Sequence, residues 1–155
     1  MAQKAIGAGA DIVNDVSGGT FDENMLATIS ELGVPIVLMH MRGTPQTMQT
    51  MTAYEDGVVE SVSNSLQQLC DATSEHNIPL WLQIADPGIG FAKSLEGNLD
   101  LLRHLSQLRP SGLPLLLGTS RKGFLGKLTG ISTAADRDVA SVASCVAALC
   151  LDVPS

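Results

Sequence analysis

The sequence is poor in aromatic and charged residues and has no long hydrophobic run. Of its 155 residues, 3% are aromatic and 16% charged, while 45% are apolar. Apolar runs such as residues 36–39 and 113–117 fall far short of the roughly 18 residues that a membrane-spanning helix needs. We therefore predict no membrane helix, and the apolar content is typical of a globular domain with a real core.

Basic residues and cysteines are also scarce. Nine Lys and Arg residues against sixteen Asp and Glu residues give a formal charge of −7. This balance argues against a general nucleic-acid or polyanion binder, so any anion site must be local. Cys70, Cys145 and Cys150 form an odd, scattered set, and residues 1–9 lack the basic start and apolar stretch of a secretory signal. We therefore expect a reducing compartment.

Four short segments are predicted as buried parallel strands, since they are apolar and flanked by Gly and Pro. They cover residues 12–16, 35–39, 80–85 and 114–118. Segments with helical spacing lie between them, and this alternation predicts right-handed crossovers in a parallel α/β sheet. Near-continuous apolar strands predict a sheet covered on both faces. A doubly wound sheet and a (β/α)₈ barrel both satisfy the pattern.

Helices are predicted wherever apolar residues recur at helical spacing. The predicted helical regions lie around residues 25–29, 58–69 and 99–105, followed by residues 124–128 and 136–149. Residues 1–10 resemble the tail of a helix with no strand before it. The last helix runs almost directly into residues 151–155. We therefore expect residues 1–155 to form an incomplete domain.

Polar side chains follow all four predicted strands. Asn14, His40, Asp86 and Lys122 lie at or just after the four strand ends. In parallel β/α architectures the active site forms beyond the carboxyl ends of the strands. The sequence therefore predicts a single polar site at that edge.

Asp86 is the strongest candidate for chemistry. It follows an apolar run and precedes a Pro and two Gly residues, which places a carboxylate on a rigid turn beside a dry interior. An unpaired buried carboxylate is costly, so it requires a cation or N–H donors, and a ligand with an amidine-like N–H pair would satisfy both oxygens. The structural alternatives are a helix cap and an internal ion pair.

Each of the other candidates also has a structural alternative. Asn14 suits the mixed donor and acceptor edge of a heterocycle, but Asn also favours turns. Lys122 suits an anionic or carbonyl oxygen, although solvated surface lysines are more common. Met39 offers a soft surface for a flat ring or simply fills the core. His40, between two methionines, is more typical of a packed histidine than of a general base. No Cys pair, His pair or acidic cluster has metal-ligand spacing.

Four segments of the sequence together resemble dihydropteroate synthase, the pterin-binding enzyme family of folate synthesis. They are residues 8–16, 38–48, 86–93 with Asn98, and 118–122. The segments follow the family's order and spacing over nearly the whole chain. This resemblance implies a partial TIM (β/α)₈ barrel, in which the four predicted strands and their helices correspond to the fourth to seventh β/α units.

The resemblance also implies a set of site residues, of which Asp86 and Lys122 would be catalytic. Asp86 would grip the N–H groups of the pterin, and Lys122 would hold a ring oxygen or nitrogen rather than act as a nucleophile. No metal ligand is expected within the chain. The implied substrate-binding residues are Asn14, Met39, Asp86, Gly90, Phe91, Gly118 and Lys122.

The implied reaction joins 6-hydroxymethyl-7,8-dihydropterin pyrophosphate to 4-aminobenzoate, forming 7,8-dihydropteroate and releasing pyrophosphate. Magnesium is the implied cofactor, with its ligands outside this chain. The resemblance further implies a homodimeric full enzyme that sulfonamides inhibit, without nucleic-acid or membrane partners. Location in the cytoplasm or in mitochondria fits a multifunctional eukaryotic folate-synthesis protein.

Several segments of the family do not occur here, namely Asn-Val-Thr-Pro-Asp-Ser-Phe, Ser-Ile-Asp-Thr and Arg-x-His-Asp. We therefore expect the chain alone to be inactive, and open sheet edges to favour its association. Ala92, where many members have Gly, and Gly123, where many have Ser, alter only contacts of the second substrate. The alternative hypotheses are a pterin-dependent methyltransferase domain and a non-catalytic pterin-binding module.

Overall fold

The computed structural model describes residues 1–151, which form an α/β fold around a three-stranded parallel sheet. Its strands, in the spatial order β1-β2-β3, are β1 (Val13–Asp15), β2 (Ile36–Met39) and β3 (Gln83–Asp86). The first three predicted strands are thus confirmed. The third begins later than predicted, because Leu80–Leu82 form a 3₁₀ turn before it. Predictions for residues 152–155 lie outside the described residues.

The predicted fourth strand, residues 114–118, is corrected to a single parallel bridge between Leu115 and Ala85. The Ala85 N–H donates to the Pro114 carbonyl at 3.0 Å. One further step of this ladder would need an N–H from residue 114 in one direction and from residue 87 in the other. Both residues are proline, which has no N–H, so pairing stops after one bridge.

Six α-helices accompany the sheet within the described residues, and each overlaps a predicted helical region. Ser94 caps α4, with its Oγ accepting from the Gly97 N–H at 3.0 Å. None of these helices has the length and apolar character of a membrane span. The helices are α1 (Ala2–Gly7), α2 (Met25–Leu32), α3 (Val58–Glu75), α4 (Leu95–Arg103), α5 (Gly123–Thr129) and α6 (Asp138–Leu151).

The core lies between the helices and one face of the sheet. Ile36 and Leu38 of β2 pack with Ile29 of α2 in one cluster, and Ala85 of β3 packs with Leu66 of α3 in another. Because side chains alternate across a strand, the remaining strand residues point to the opposite face. That face presents the candidate site.

Candidate functional site

Three predicted site residues share the sheet face opposite the helices. In the observed register, Asn14 pairs with Val37, and Met39 pairs with Asp86. Paired residues of adjacent strands point to the same side, and so do residues two apart along a strand. Asn14, Met39 and Asp86 therefore lie on one face near the carboxyl ends of the strands.

The Asp86 carboxylate is buried, with 6% of the residue exposed. Its Oδ1 accepts a hydrogen bond of 2.7 Å from the Gly88 N–H, whereas Oδ2 has no hydrogen-bond donor among the described residues. Burial raises the pKa of Asp86, opposed by the Gly88 hydrogen bond and by the charges of Lys122 and Lys93. Since α4 is capped by Ser94, Asp86 is not the helix cap that its sequence context allowed. It is instead a partly satisfied carboxylate.

Lys122 lies against the loop that follows β3. Its Nζ is 4.0 Å from the centroid of the Phe91 ring, a cation–π contact. Gly90 makes this approach possible, because a Cβ there would lie 3.0 Å from the Lys122 Cδ. Burial lowers the pKa of Lys122, partly offset by Asp86. Lys122 is therefore half-buried and packed, unlike a solvated surface lysine. Its neighbour Arg121 forms an exposed ion pair with Asp138.

Asn14 and Gly118 occupy open positions. Asn14 is exposed, and its side chain makes no hydrogen bond with residues 1–151. A Cβ placed on Gly118 would meet no atom within 4 Å. The structure thus brings Gly90, Phe91 and Lys122 into contact, but it gives Asn14 and Gly118 no partner from the rest of the predicted set.

Lys93 is the residue that sequence reasoning missed. It is only 5% exposed, and its Nζ lies 3.0 Å from His40 Nδ1, 3.0 Å from the Gly88 carbonyl and 2.9 Å from the Phe91 carbonyl. Burial lowers the pKa of Lys93 to about 7, with Asp86 opposing this and Lys122 and Arg42 adding to it. The burial of Lys93 depends on residues far away in the chain, so periodicity could not reveal it. The only signal in the sequence was the position of Lys93 at the end of a Gly-rich segment.

A second set of contacts ties the segment after β2 to the loop after β3. The Arg42 guanidinium lies 4.6 Å from the centroid of the Tyr54 ring and donates to the Ala53 carbonyl at 2.7 Å. The Tyr54 hydroxyl donates to the Ala92 carbonyl at 3.0 Å. A cavity of about 570 Å³ on this flank is lined by His40, Arg42 and Tyr54, among others.

The donor set of this region does not fit a metal ion. Residues 1–151 contain no group of three or more His, Cys, Asp or Glu side chains placed to hold one. The ring of His40 already contacts Lys93 through Nδ1. What the site offers is a carboxylate, two lysines and a flat aromatic ring around an open sheet face.

Comparison with known proteins gives a consistent result. The family model described as "Pterin binding enzyme" matches residues 1–151. The chain is 42% identical to the dihydropteroate synthase of Synechocystis, covering 96% of this chain and 51% of that protein. It is 43% identical to the mitochondrial folate synthesis bifunctional protein of Arabidopsis thaliana, covering 96% of this chain and 29% of that protein. The chain thus spans about half of the first relative and less of the second.

Solved structures agree with these relatives. The dihydropteroate synthase of Thermus thermophilus in complex with 6HMPPP superposes with a TM-score of 0.89 at 38% identity, covering 98% of this chain and 59% of that one. The same enzyme has been solved with 4-aminobenzoate, and the Yersinia pestis enzyme with a sulfonamide drug.

Proposed function

Because the chain belongs to the pterin-binding enzyme family, we propose that it supplies the pterin-binding part of a dihydropteroate synthase. The proposed reaction condenses 6-hydroxymethyl-7,8-dihydropterin pyrophosphate with 4-aminobenzoate to give 7,8-dihydropteroate and pyrophosphate. The observation that carries this proposal is the half-satisfied, buried carboxylate of Asp86 beside Lys122. The folate-synthesis names of the relatives favour a synthase over the methyltransferase and non-catalytic alternatives.

The proposed architecture is part of a (β/α)₈ barrel. The three strands and the bridge at Leu115 would correspond to its fourth to seventh units. The superposition over 98% of the chain supports this assignment. In such a barrel the face bearing Asp86 would point inward, and its carboxyl edge would carry the active site.

Asp86 would bind the N–H edge of the pterin. Its free Oδ2 would accept one N–H of the aminopyrimidinone, and the partly buried site would strengthen that charge-assisted hydrogen bond. As the bond between the pterin methylene carbon and the pyrophosphate oxygen breaks, positive charge develops on the pterin. A nearby carboxylate stabilises this charge. The amine nitrogen of 4-aminobenzoate then forms the new bond to that carbon and loses a proton.

The remaining predicted residues would orient the ring. Lys122 would donate to a ring oxygen or nitrogen of the pterin, while its Nζ keeps the cation–π contact with Phe91. Asn14 would present its exposed amide to the heterocycle edge. Buried Met39 would form an apolar wall, and the open space at Gly118 would admit the ring. Holding the reactants in register in this way lowers the entropic cost of the reaction.

The described residues contain no group of His, Cys, Asp or Glu side chains that could hold magnesium. We propose that its ligands lie outside this chain. Sulfonamides are the proposed inhibitors, since one bound the related Yersinia pestis enzyme. The proposed compartment is the cytoplasm or the mitochondrion, and the bifunctional relative from Arabidopsis thaliana is named as mitochondrial. We propose no nucleic-acid or membrane partner.

A homodimer is the proposed assembly of the full enzyme. The outer face of α6 supports an association surface, since Val139, Val142 and Leu149 are 83%, 64% and 74% exposed. Apolar side chains clustered on one helix face are typical of a surface that is covered in the assembled protein.

The test measures pterin binding by fluorescence, in a titration of the 155-residue chain with 6-hydroxymethylpterin. Asp86→Asn should weaken binding about a hundredfold, because it removes the charge that strengthens the hydrogen bonds. Asp11→Asn, the same change two residues before the start of β1, should bind like the wild type. Equal affinity of the Asp86→Asn variant would refute the proposal.

Turnover is tested in a chimaera in which residues 1–151 replace the matching segment of the Synechocystis synthase. The chimaera should form dihydropteroate, and the 155-residue chain alone should not. A chimaera that is folded and binds pterin yet never forms product would support the non-catalytic alternative.

A further inference from the structure

We propose that Lys93 is a positioning residue whose ammonium group, anchored on His40, holds the turn that presents Asp86 to the pterin. This inference rests on the proposed function and adds to it a residue outside the predicted set. Lys93 donates to the Gly88 carbonyl, and the Gly88 N–H donates to Asp86. Its effect would pass through the backbone of Gly88.

The hydrogen bonds of Lys93 match an ammonium group. A protonated lysine has three N–H donors and no acceptor. The Lys93 Nζ has three acceptors, namely His40 Nδ1 at 3.0 Å, the Gly88 carbonyl at 3.0 Å and the Phe91 carbonyl at 2.9 Å. A neutral amine has only two N–H groups, so it could keep all three contacts only if His40 donated to it from a protonated Nδ1.

When Lys93 is protonated, His40 is the acceptor of this hydrogen bond. For Nδ1 to accept, the imidazole must be neutral with its proton on Nε2. Burial, reinforced by the charges of Lys93 and Arg42, lowers the pKa of His40 to about 3. His40 is therefore neutral at physiological pH and joins the end of β2 to the loop after β3.

The turn held by Lys93 is tightly constrained. Gly88 has a φ of +67°, and Gly90 a φ of +83°. A Cβ on Gly88 would lie 2.0 Å from the His40 carbonyl oxygen, so this backbone passes directly against the end of β2. The carbonyl of Gly88 accepts from Lys93, while its N–H donates to Asp86 Oδ1 at 2.7 Å. Gly88 thus links Lys93 to the Asp86 carboxylate.

The same ammonium also supplies charge to the site. Lys93 and Lys122 are the two cations that lower the pKa of Asp86. The other charged or titratable groups facing Lys93 are His40 and Arg42 from the segment after β2. Because burial places the pKa of Lys93 near 7, mildly alkaline pH would remove this charge and with it the charge-assisted character of its hydrogen bonds. Pterin affinity should then decrease.

The experiment measures pterin affinity of the 155-residue chain between about pH 6 and about pH 9. Wild-type affinity should fall about tenfold over this range, the effect expected for loss of a charge-assisted hydrogen bond. Lys93→Met should bind about tenfold more weakly at the acidic end and show no such fall. Lys93→Arg keeps its charge over this pH range. Its pterin affinity should therefore not change with pH and should exceed that of Lys93→Met. Lys127→Met, at an exposed lysine of α5, should follow the wild type.

The outcomes separate the two proposals. A wild-type chain that binds no pterin at any pH refutes the proposed function and the inference with it. A wild-type chain that binds with a flat pH profile, or a Lys93→Met variant that keeps the wild-type affinity and alkaline decrease, refutes the inference alone. If Lys93→Met does not fold by circular dichroism, the wild-type profile and the Lys93→Arg variant decide.

Discussion

The carboxyl edge of the sheet has a closed region and an open one. In the closed region, at the ends of β2 and β3, Met39 and Asp86 are 3% and 6% exposed and the loop after β3 is tied to both strands. In the open region, Asn14 is exposed and Gly118 faces empty space. The difference follows from pairing, since β2 has a strand on each side and β3 lies between β2 and the bridge at Leu115, whereas β1 pairs only with β2 among the described residues.

This contrast indicates which site residues are held in place before a ligand arrives. A side chain surrounded by hydrogen bonds and packing has already lost its conformational freedom, so a ligand binds it without that entropic cost. Asp86 is in that condition, and Asn14 is not. We therefore expect substitutions in the closed region to have larger effects than those in the open region.

The largest expected effect comes from two glycines, one in each region. Gly88→Ala should destabilise the chain by about 3 kcal/mol or more, because its φ is left-handed and the added methyl group meets the backbone of His40. Gly118→Ala should change stability by less than about 0.5 kcal/mol, since its Cβ meets nothing. Urea denaturation of both variants measures this difference. Similar losses would contradict the contrast.

The next effect is the pH dependence that buried Lys93 imposes. Its pKa is about 7 in the folded chain against an ordinary value of 10.5, so between these values the unfolded chain binds more protons. Stability should therefore rise with pH across this window, at up to about 1.4 kcal/mol per pH unit. Lys93→Met should lose this rise, whereas Lys127→Met should keep it. Denaturation midpoints at several pH values provide the measurement.

A smaller effect is expected at Asn14. Asn14→Ala should weaken pterin binding about tenfold, the loss typical of one or two hydrogen bonds at an exposed position. It should leave thermal stability unchanged, because the side chain has no partner in the described structure. If Asn14→Ala weakened binding as strongly as Asp86→Asn does, the open region would be as well organised as the closed one.

The smallest effect is expected at Ala92, a fully buried residue with a φ of +50°. Ala92→Gly should change stability by less than about 0.5 kcal/mol, because relief of about 1 kcal/mol of left-handed strain offsets the lost methyl burial of about 0.8 kcal/mol. Ala85→Gly is the matched control, since Ala85 is also buried but lies in a regular strand. The control should lose at least about 1 kcal/mol. Equal losses in a thermal melt would show that Ala92 is not strained.

Much of the fold could be predicted because the signals are local. The apolar periodicity of α3 and the short branched run of β2 are readable from neighbouring residues alone. Apolarity alone predicts a strand at residues 114–118, but a strand also needs partners that can supply its ladder of N–H groups. Pro87 and Pro114 were both visible in the sequence, but their effect appears only once Ala85 is known to be the partner of Leu115.

The candidate site was predicted unevenly for the same reason. Asp86 stands out as a candidate because of the Pro and Gly residues that follow it, and the structure brings Gly90, Phe91 and Lys122 into contact. The sequence does not single out Lys93, because a lysine in a loop is most often solvated. Its acceptor His40 is 53 residues away in the chain, and no local pattern joins the two.

The sequence by itself determined the order of helices and strands, the edge of the sheet that carries polar residues, and the family resemblance. These depend on residue type and spacing, which are properties of neighbouring positions. Only the tertiary structure decided which of those polar groups are buried, which atoms they contact and how their pKa values shift. Burial and electrostatic environment are set by residues far apart in the chain, so they exist only after the chain has folded.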